Sequence, residues 1–521
     1  MSWKPEADEI EERRRRALEM GGEQAVERQH GAGRLTIRER IDGLIDAQSF
    51  HEMGPQAGSS EYTEAGELES FTPANYVLGL AHIEGRPCAV GGEDFTQRGG
   101  SPSAAGLRKS VFAEELACRY RVPLVRFLEG GGGSITGTRG KKGSAPPQPA
   151  GDSFFAPHRF ASIARVLREV PVVSAAVGPV AGFPAARLAA SHLSIMVEKT
   201  SQVLIGGPAL VERALGENLT KEELGGSKVH LRSGVVDCAV KTEAEVFDVI
   251  RRFLGYLPTN TSQQPPRLAE REDDPQRTEE SLLEIVPRDR RKVYVMRKII
   301  NAVVDEGSFF EMTARYGRSQ ITGLARLDGR PVGIWANDPY FYAGSMDAHG
   351  AQKVTRFLKL CETFHLPVVC FVDEPGFSIG SAAEAAGTIR YGVDAIVAAM
   401  ECTVPWASVI VRKSYGVAAA AHFGPQATIF SWPSAESGAL PIEGGVAVAF
   451  RREIAAAPNP EALRSELEER FAARRNPFPR AESFGVQDLL DPRRTRPALC
   501  EWLTWNEPVL AARTTGAPHT P

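Results

Sequence analysis

The strongest constraint on the fold is that the chain repeats itself. Gly79-Leu80-Ala81-His82-Ile83-Glu84-Gly85-Arg86-Pro87 is matched by Gly323-Leu324-Ala325-Arg326-Leu327-Asp328-Gly329-Arg330-Pro331, 244 residues further on. Pro123-Leu124-Val125 and Pro367-Val368-Val369 keep the same spacing, so Glu129-Gly130 falls on Asp373-Glu374 and Gly132 on Gly376. Upstream, the run from Ile41 to Met53 matches that from Ile300 to Met312. A repeat this long is far outside the roughly 20–50 residues of a solenoid unit, so it predicts a duplicated domain. The stretch 258–280 is rich in Pro, Asn, Gln and acids and poor in apolar residues, which reads as a linker. The predicted organisation is therefore a first domain over 1–257, a linker over 258–280 and a second domain over 281–521.

Within the first copy the pattern is α/β. Helices are expected between Glu6 and Asp46, one of them opened by Thr36 with Glu39 three residues on as a capping box. Tyr76–Ile83, the turn Glu84-Gly85-Arg86-Pro87 and Cys88–Gly92 read as a β-hairpin. A helix over 103–121 leads into the apolar run Val122–Leu128. A second helix over 157–169 leads into Val170–Val177, which ends in Gly178-Pro179-Val180-Ala181-Gly182. Strand, glycine turn, helix, strand, glycine turn is the alternation of an α/β sheet.

The first of those turns is Glu129-Gly130-Gly131-Gly132-Gly133-Ser134. Four glycines permit positive φ and leave the amides unshielded, so N–H groups there can meet an oxygen that gains charge during reaction. A flexible loop after a strand is the alternative reading of the same residues. With two copies, two related sites are expected, able to hold two different substrates.

Composition narrows the class. Apolar content of 42% and charged content of 24% are those of an ordinary globular protein. A net charge of −4 spread without strong bias, with Arg13-Arg14-Arg15-Arg16 set beside acidic residues as a solvated helix face rather than a targeting signal, argues against a nucleic-acid partner. There is no run of about 18 apolar residues for a membrane span and no apolar segment near Met1 for a secretory signal. The seven cysteines are scattered, without CxxC or His spacing for a metal, as expected of reduced thiols in a cytoplasmic enzyme.

Longer motifs carry a resemblance. Arg28-Gln29-His30-Gly31-Ala32-Gly33-Arg34-Leu35-Thr36-Ile37-Arg38-Glu39-Arg40-Ile41 comes first. Glu222-Glu223-Leu224-Gly225-Gly226-Ser227-Lys228-Val229-His230, Val372-Asp373-Glu374-Pro375-Gly376-Phe377 and Val411-Arg412-Lys413-Ser414-Tyr415-Gly416 follow. Together they resemble the carboxyltransferase β subunit of biotin-dependent acyl-CoA carboxylases, of the propionyl-CoA and methylcrotonoyl-CoA type. The resemblance implies two tandem crotonase (ClpP-like) domains and a homohexamer, a dimer of trimers with sites at dimer interfaces. It also implies transfer of a carboxyl group from carboxybiotin to the α-carbon of an acyl-CoA thioester. The biotin would be carried by a partner, a biotin carboxylase or carboxyl carrier subunit, since no Met-Lys-Met motif and no ATP-grasp-like segment is present.

Transfer between these two groups places negative charge on two carbonyl oxygens, each served by preorganised N–H donors. By the resemblance, the acyl-CoA oxygen falls to the amides of Gly132 and Gly133, beside Gly131, and the biotin oxygen to those of Val417 and Ala418, with Gly416 allowing the turn. The residue at Ala420 would help set acyl-chain size, and a small one leaves room for a larger group. Arg139, Lys141 and Lys142 could meet CoA phosphates or form a solvated loop. No side-chain base is expected, because biotin N1′ is thought to take the α-proton in this family. Glu129, Asp373 and His230 read as structural, and Arg412-Lys413 as either a loop-orienting or an ion-pairing unit. The family's Ser-Gly-Gly-Ala-Arg and Tyr-Gly-Gly-Ala-Tyr-Asp are here Gly130-Gly131-Gly132-Gly133-Ser134 and Tyr415-Gly416-Val417-Ala418-Ala419-Ala420. Two other readings are a decarboxylase subunit that runs the transfer backwards and a non-catalytic scaffold of the same fold.

Overall fold

The computed structural model describes residues 2–132, 159–268, 273–473 and 477–514. The chain forms two compact units, Met1–Gln263 and Gln264–Pro521. Each is built on one mixed sheet flanked by helices, the duplicated α/β architecture that the repeat predicts.

In the first unit the strands are β1 (His51–Glu52), β2 (Tyr76–Ile83), β3 (Arg86–Glu93), β4 (Leu124–Gly130), β5 (Val172–Ala181), β6 (Leu193–Val197), β7 (Gln202–Leu204) and β8 (Cys238–Val240). Their order across the sheet is β1-β2-β3-β4-β5-β6-β8, with β7 added beside β5. The β1–β2 and β2–β3 pairs are antiparallel, and the rest are parallel.

The second unit repeats this with β9 (Phe310–Met312), β10 (Gln320–Leu327), β11 (Arg330–Asn337), β12 (Val368–Glu374), β13 (Trp406–Tyr415), β14 (Thr428–Ser431), β15 (Glu436–Gly438) and β16 (Asp488–Leu489). The order is again β9-β10-β11-β12-β13-β14-β16, with β15 beside β13. The spacing read from the sequence is kept by the backbone, since β2 and β10, β3 and β11, and β4 and β12 all begin and end 244 residues apart. At β5 and β13 and at β7 and β15 the spacing is 234, and at the last strands, β8 and β16, it is 250 at their first residues.

Local sequence accounts for most elements. The helix Ile37–Leu44 has the full capping box: the Glu39 N–H donates to Thr36 Oγ1 at 3.3 Å, and the Thr36 N–H donates to Glu39 Oε2 at 2.7 Å. Its buried face carries Ile37, Ile41 and Leu44. The hairpin turns at Glu84 and Gly85, both in the left-handed region. The helix expected before β4 runs Ala104–Tyr120, with Ser103 as cap, and the one before β5 runs Arg159–Glu169. Arg13 to Arg16 pair with Glu9, Glu11, Glu12 and Glu19 along their own helix, the solvated face expected of them.

β4 and β12 are buried at all seven positions, as central parallel strands covered on both faces must be. Below the second sheet Ile299, Ile300, Val303, Ile321 and Ile334 are fully buried in one core. Each such side chain contributes about 1.5–3 kcal/mol of burial free energy. All seven cysteines are free thiols, six buried and Cys238 partly so.

Candidate active site

The ends of the central parallel strands position the candidate residues. β4 and β5 are neighbours, as are β12 and β13, so the turn after one lies beside the turn after the other. In both units the register slips at the same place. The slip lies between Leu128 and Gly130 in the first and between Val372 and Glu374 in the second, with Glu129 and Asp373 at the irregularity. These two acids are the matched pair of the repeat.

Both are structural anchors. Glu129 is fully buried and receives Arg40 Nη1 at 2.6 Å, Gln29 Nε2 at 2.8 Å and Arg34. Asp373 is fully buried and accepts from Tyr294 Oη at 2.8 Å, Arg412 Nη2 at 3.1 Å and the Lys413 N–H at 3.0 Å. Of the two readings of Arg412, the ion pair holds. Lys413 Nζ donates to the Ala343 carbonyl at 2.6 Å and lies 3.6 Å from Asp373. His230 is structural as well, its Nε2 lying 2.7 Å from the Val203 carbonyl.

The glycine run is required for closeness rather than for positive φ. Gly130 to Gly132 are absent from the left-handed region, which is occupied instead by Gly99, Gly100 and Gly182. A Cβ on Gly130 would stand 2.7 Å from the Gly100 carbonyl oxygen, because the turn Arg98–Gly100 crosses over the strand end. Gly132 lies against the next turn, where its Cβ would meet Gly182 Cα at 3.2 Å. Gly131 donates only a long 3.4 Å bond to the Gly99 carbonyl. Gly133, Arg139, Lys141 and Lys142 lie outside the described residues. A cavity of about 30 Å³ opens beside Gly132, Phe183 and Pro184, lined also by Tyr76, Glu93 and Arg187.

On the second unit β13 ends at Tyr415 and Gly416 turns the chain with φ 63°. A 3-10 helix, Ala418–His422, follows. Val417 is 65% exposed, Ala418 is fully buried and Ala420 is exposed. The Ala420 N–H donates to the Val417 carbonyl at 3.0 Å. The N–H groups of Val417 and Ala418 make no hydrogen bond among the described residues.

The duplication itself relates the strand ends in a way the motifs did not. Spaced by 234, Gly416, Val417 and Ala418 on the second unit correspond to Gly182, Phe183 and Pro184 on the first. Gly182 has φ 65°, against 63° for Gly416. The counterpart of Gly131 and Gly132 is Pro375 and Gly376, after β12. The two pairs taken from the resemblance therefore follow non-equivalent strands of the repeat, one after β4 in the first unit and the other after β13, the counterpart of β5, in the second. Gly178-Pro179-Val180-Ala181-Gly182, noted in the sequence only as a strand end, held the signal for the missing turn.

Three comparisons bear on what this arrangement does. Residues 28–515 match the model of the family described as "Carboxyl transferase domain". The chain is 36% identical over 503 residues to the propionyl-CoA carboxylase carboxyltransferase subunit of Haloferax mediterranei, covering 95% of each chain. It is 33% identical over 483 residues to the methylmalonyl-CoA decarboxylase subunit alpha of Veillonella parvula, covering 92% of this chain and 91% of that one. Among solved structures it is similar to the transcarboxylase 12S hexamer with methylmalonyl-coenzyme A and methylmalonic acid bound. That likeness has a TM-score of 0.85 and 29% identity, and covers 100% of this chain and 97% of the other.

Proposed function

The chain belongs to the carboxyl transferase domain family, and on that premise we propose that it moves a carboxyl group from carboxybiotin on a partner protein to the α-carbon of an acyl-CoA. The observation that carries the reading is the pair of unpartnered amides at Val417 and Ala418, presented by the left-handed Gly416 at a strand end. A buried N–H with no acceptor is costly unless a substrate oxygen completes it.

We assign the second unit to biotin and the first to the acyl-CoA. Carboxybiotin, when bound, supplies the carboxyl group. The residues of the second unit fit it, because the orphaned Ala418 N–H and the neighbouring Val417 N–H can donate to its carbonyl oxygen. In similar chemistries each such donor contributes about 3 kcal/mol when charge develops on the oxygen it faces. On the first unit the thioester oxygen is assigned to the Gly132 and Gly133 amides. The internal symmetry favours a variant in which the Phe183 amide assists Gly132, since Pro184 has no N–H to give.

Arg139, Lys141 and Lys142 follow Gly133 in the chain and are assigned to the CoA phosphates. The exposed, small Ala420 leaves space for an acyl group larger than propionyl. An exposed apolar stripe of Ile389, Val393 and Val397 along the helix Thr388–Met400 supports assembly into an oligomer, and the hexameric transcarboxylase core is the form proposed. Among the described residues no helix is long and apolar enough to cross a membrane, and the free thiols fit a cytoplasmic setting.

A decarboxylase subunit, favoured by the likeness to the V. parvula protein, would use the same amides in the opposite direction. The experiment is co-purification with the biotin-bearing partner, then carboxylation assays over acetyl-, propionyl- and longer acyl-CoA. Transfer to any of these upholds the function, and transfer to acetyl- and propionyl-CoA alone removes the larger-acyl assignment. Decarboxylation of a malonyl-type thioester without net carboxylation upholds the second reading.

A further inference from the structure

Beneath the Gly416 turn lies a buried pair that the transfer chemistry does not call for. Glu374, the last residue of β12, and His422, the last residue of the 3-10 helix, are both fully buried, with His422 Nε2 3.8 Å from Glu374 Oε2. Neither ring nitrogen of His422 has a hydrogen-bond partner. The ring stacks on Trp335, with centroids 4.1 Å apart and planes inclined by 23°. The backbone beneath it is pinned, since the His422 carbonyl accepts from Ser408 Oγ at 2.6 Å and Trp406 Nε1 at 3.1 Å.

The carboxyl joins three segments. Its Oε1 accepts the Gly376 N–H at 3.0 Å, in the turn after β12, and the Met346 N–H at 3.3 Å. Its Oε2 accepts Asn337 Nδ2 at 3.0 Å and lies 3.8 Å from His422 Nε2. Asn337 in turn accepts the Asp373 N–H at 2.9 Å, so the pair is connected to the anchor of Arg412 and Lys413. Glu374 thus ties the turn after β12 to Met346 and Asn337, and its 3.8 Å approach to His422 brings it against the turn after β13.

We propose that Glu374 and His422 are positioning residues that share one proton and, through it, set the Val417–Ala418 turn for the biotin-borne substrate. This rests on the assignment of that substrate to the second unit. A neutral imidazole has one donor and one acceptor nitrogen. With the proton on the carboxyl, a small approach across the 3.8 Å gap lets Glu374 donate to Nε2, and the ring's other N–H is left for the carbonyls of Ala418 and Ala419, which face it from its own turn. With that proton gone, Nε2 must become the donor to the carboxylate, and the N–H is withdrawn from those carbonyls.

The first arrangement holds at neutral pH. Burial pushes the Glu374 carboxyl up to about 8, against the pull of the Gly376 and Met346 amides, Asn337 and Lys413 on β13. Burial also pushes the His422 ring down to about 3, against the pull of the Ala418 and Ala419 carbonyls. Asp373, the other charged group at the end of β12, is itself paired with Arg412, and Cys370 on the same strand faces Glu374 as a thiol lifted far above its ordinary range by burial. The two groups titrate as a couple.

The test is carboxyl transfer from a malonyl-type acyl-CoA to free biotin, which leaves the decarboxylated acyl-CoA and carboxybiotin, measured from pH 6 to about 10 for wild type, Glu374→Gln and His422→Phe. Gln can donate to Nε2 but cannot ionise, at the cost of the Asn337 bond; Phe keeps the stack on Trp335 and removes both nitrogens. Wild type is expected to lose activity along an alkaline limb near pH 8. Glu374→Gln is expected to be less active at neutral pH but to lack that limb. His422→Phe is expected to raise the KM for biotin by about tenfold while that for acyl-CoA stays within about twofold. Absence of the limb in wild type, its persistence in Glu374→Gln, or equal rises in both KM values in His422→Phe would each overturn the proposal. Failure of wild type to exchange with any acyl-CoA would instead remove the underlying functional assignment.

Discussion

Replacing Asp373 by Asn separates the role of the strand-end anchor from that of the chemistry. Asp373 is fully buried and is the carboxylate against which Arg412 sits, 6% exposed, at 3.1 Å. Asn keeps an acceptor for the Lys413 N–H, turns an NH2 donor toward Tyr294 Oη in place of the second oxygen, and removes the charge. The Arg412 guanidinium is then held in the protein with its bond to the Lys292 carbonyl at 2.9 Å and its approach to the Tyr294 ring at 4.8 Å. An uncompensated buried charge of this kind costs about 3–5 kcal/mol. The expected loss for the second unit is therefore about 3–5 kcal/mol in denaturant unfolding, and Arg412→Met alone should lose a similar amount. The double variant leaves no stranded charge, so it should recover about 1–3 kcal/mol relative to the sum of the singles. Because Asp373 holds the Lys413 N–H two residues before Tyr415, Asp373→Asn should also lower turnover with biotin while leaving acyl-CoA binding within about twofold. A loss below about 1 kcal/mol in the single variant, or strictly additive singles, would refute the claim that the ion pair anchors the strand end.

Gly416→Ala should cost about 1–2 kcal/mol from φ 63° alone, since its Cβ would meet only the Ala439 carbonyl oxygen, at an ordinary 3.4 Å. Its biotin-dependent rate should fall by more than the stability loss predicts, which steady-state kinetics at a temperature well below unfolding will measure. Ala420→Ile should reduce use of longer acyl-CoA relative to propionyl-CoA by about tenfold in competition assays, if this position sets acyl size. Thr36→Ala removes the capping box and should destabilise the first unit by about 1 kcal/mol in thermal unfolding, with no change in either KM.

Two halves of one ancestral fold, the hairpin at Glu84-Gly85 and the matched strand ends at Glu129 and Asp373 all follow from local patterns and their spacing. A repeat aligns along the chain, and a capping box or hairpin turn acts over a few residues, so the one-dimensional record is enough. Side-chain partnerships across parallel strands are another matter, because parallel crossovers join residues far apart in the chain. Arg40 reaches Glu129 across 89 residues and Tyr294 reaches Asp373 across 79, and nothing local marks either pairing. The need for glycine at 130 was legible only as permissiveness; its cause is the Gly100 backbone crossing within 2.7 Å of where a Cβ would be. The same packing of neighbouring strand ends brought Gly182 beside Gly132 and Glu374 beside His422. Sequence thus determined the two α/β units and their strand-end turns, whereas the choice of which turns and which buried groups share a site was made by sheet order, a property of the folded chain alone.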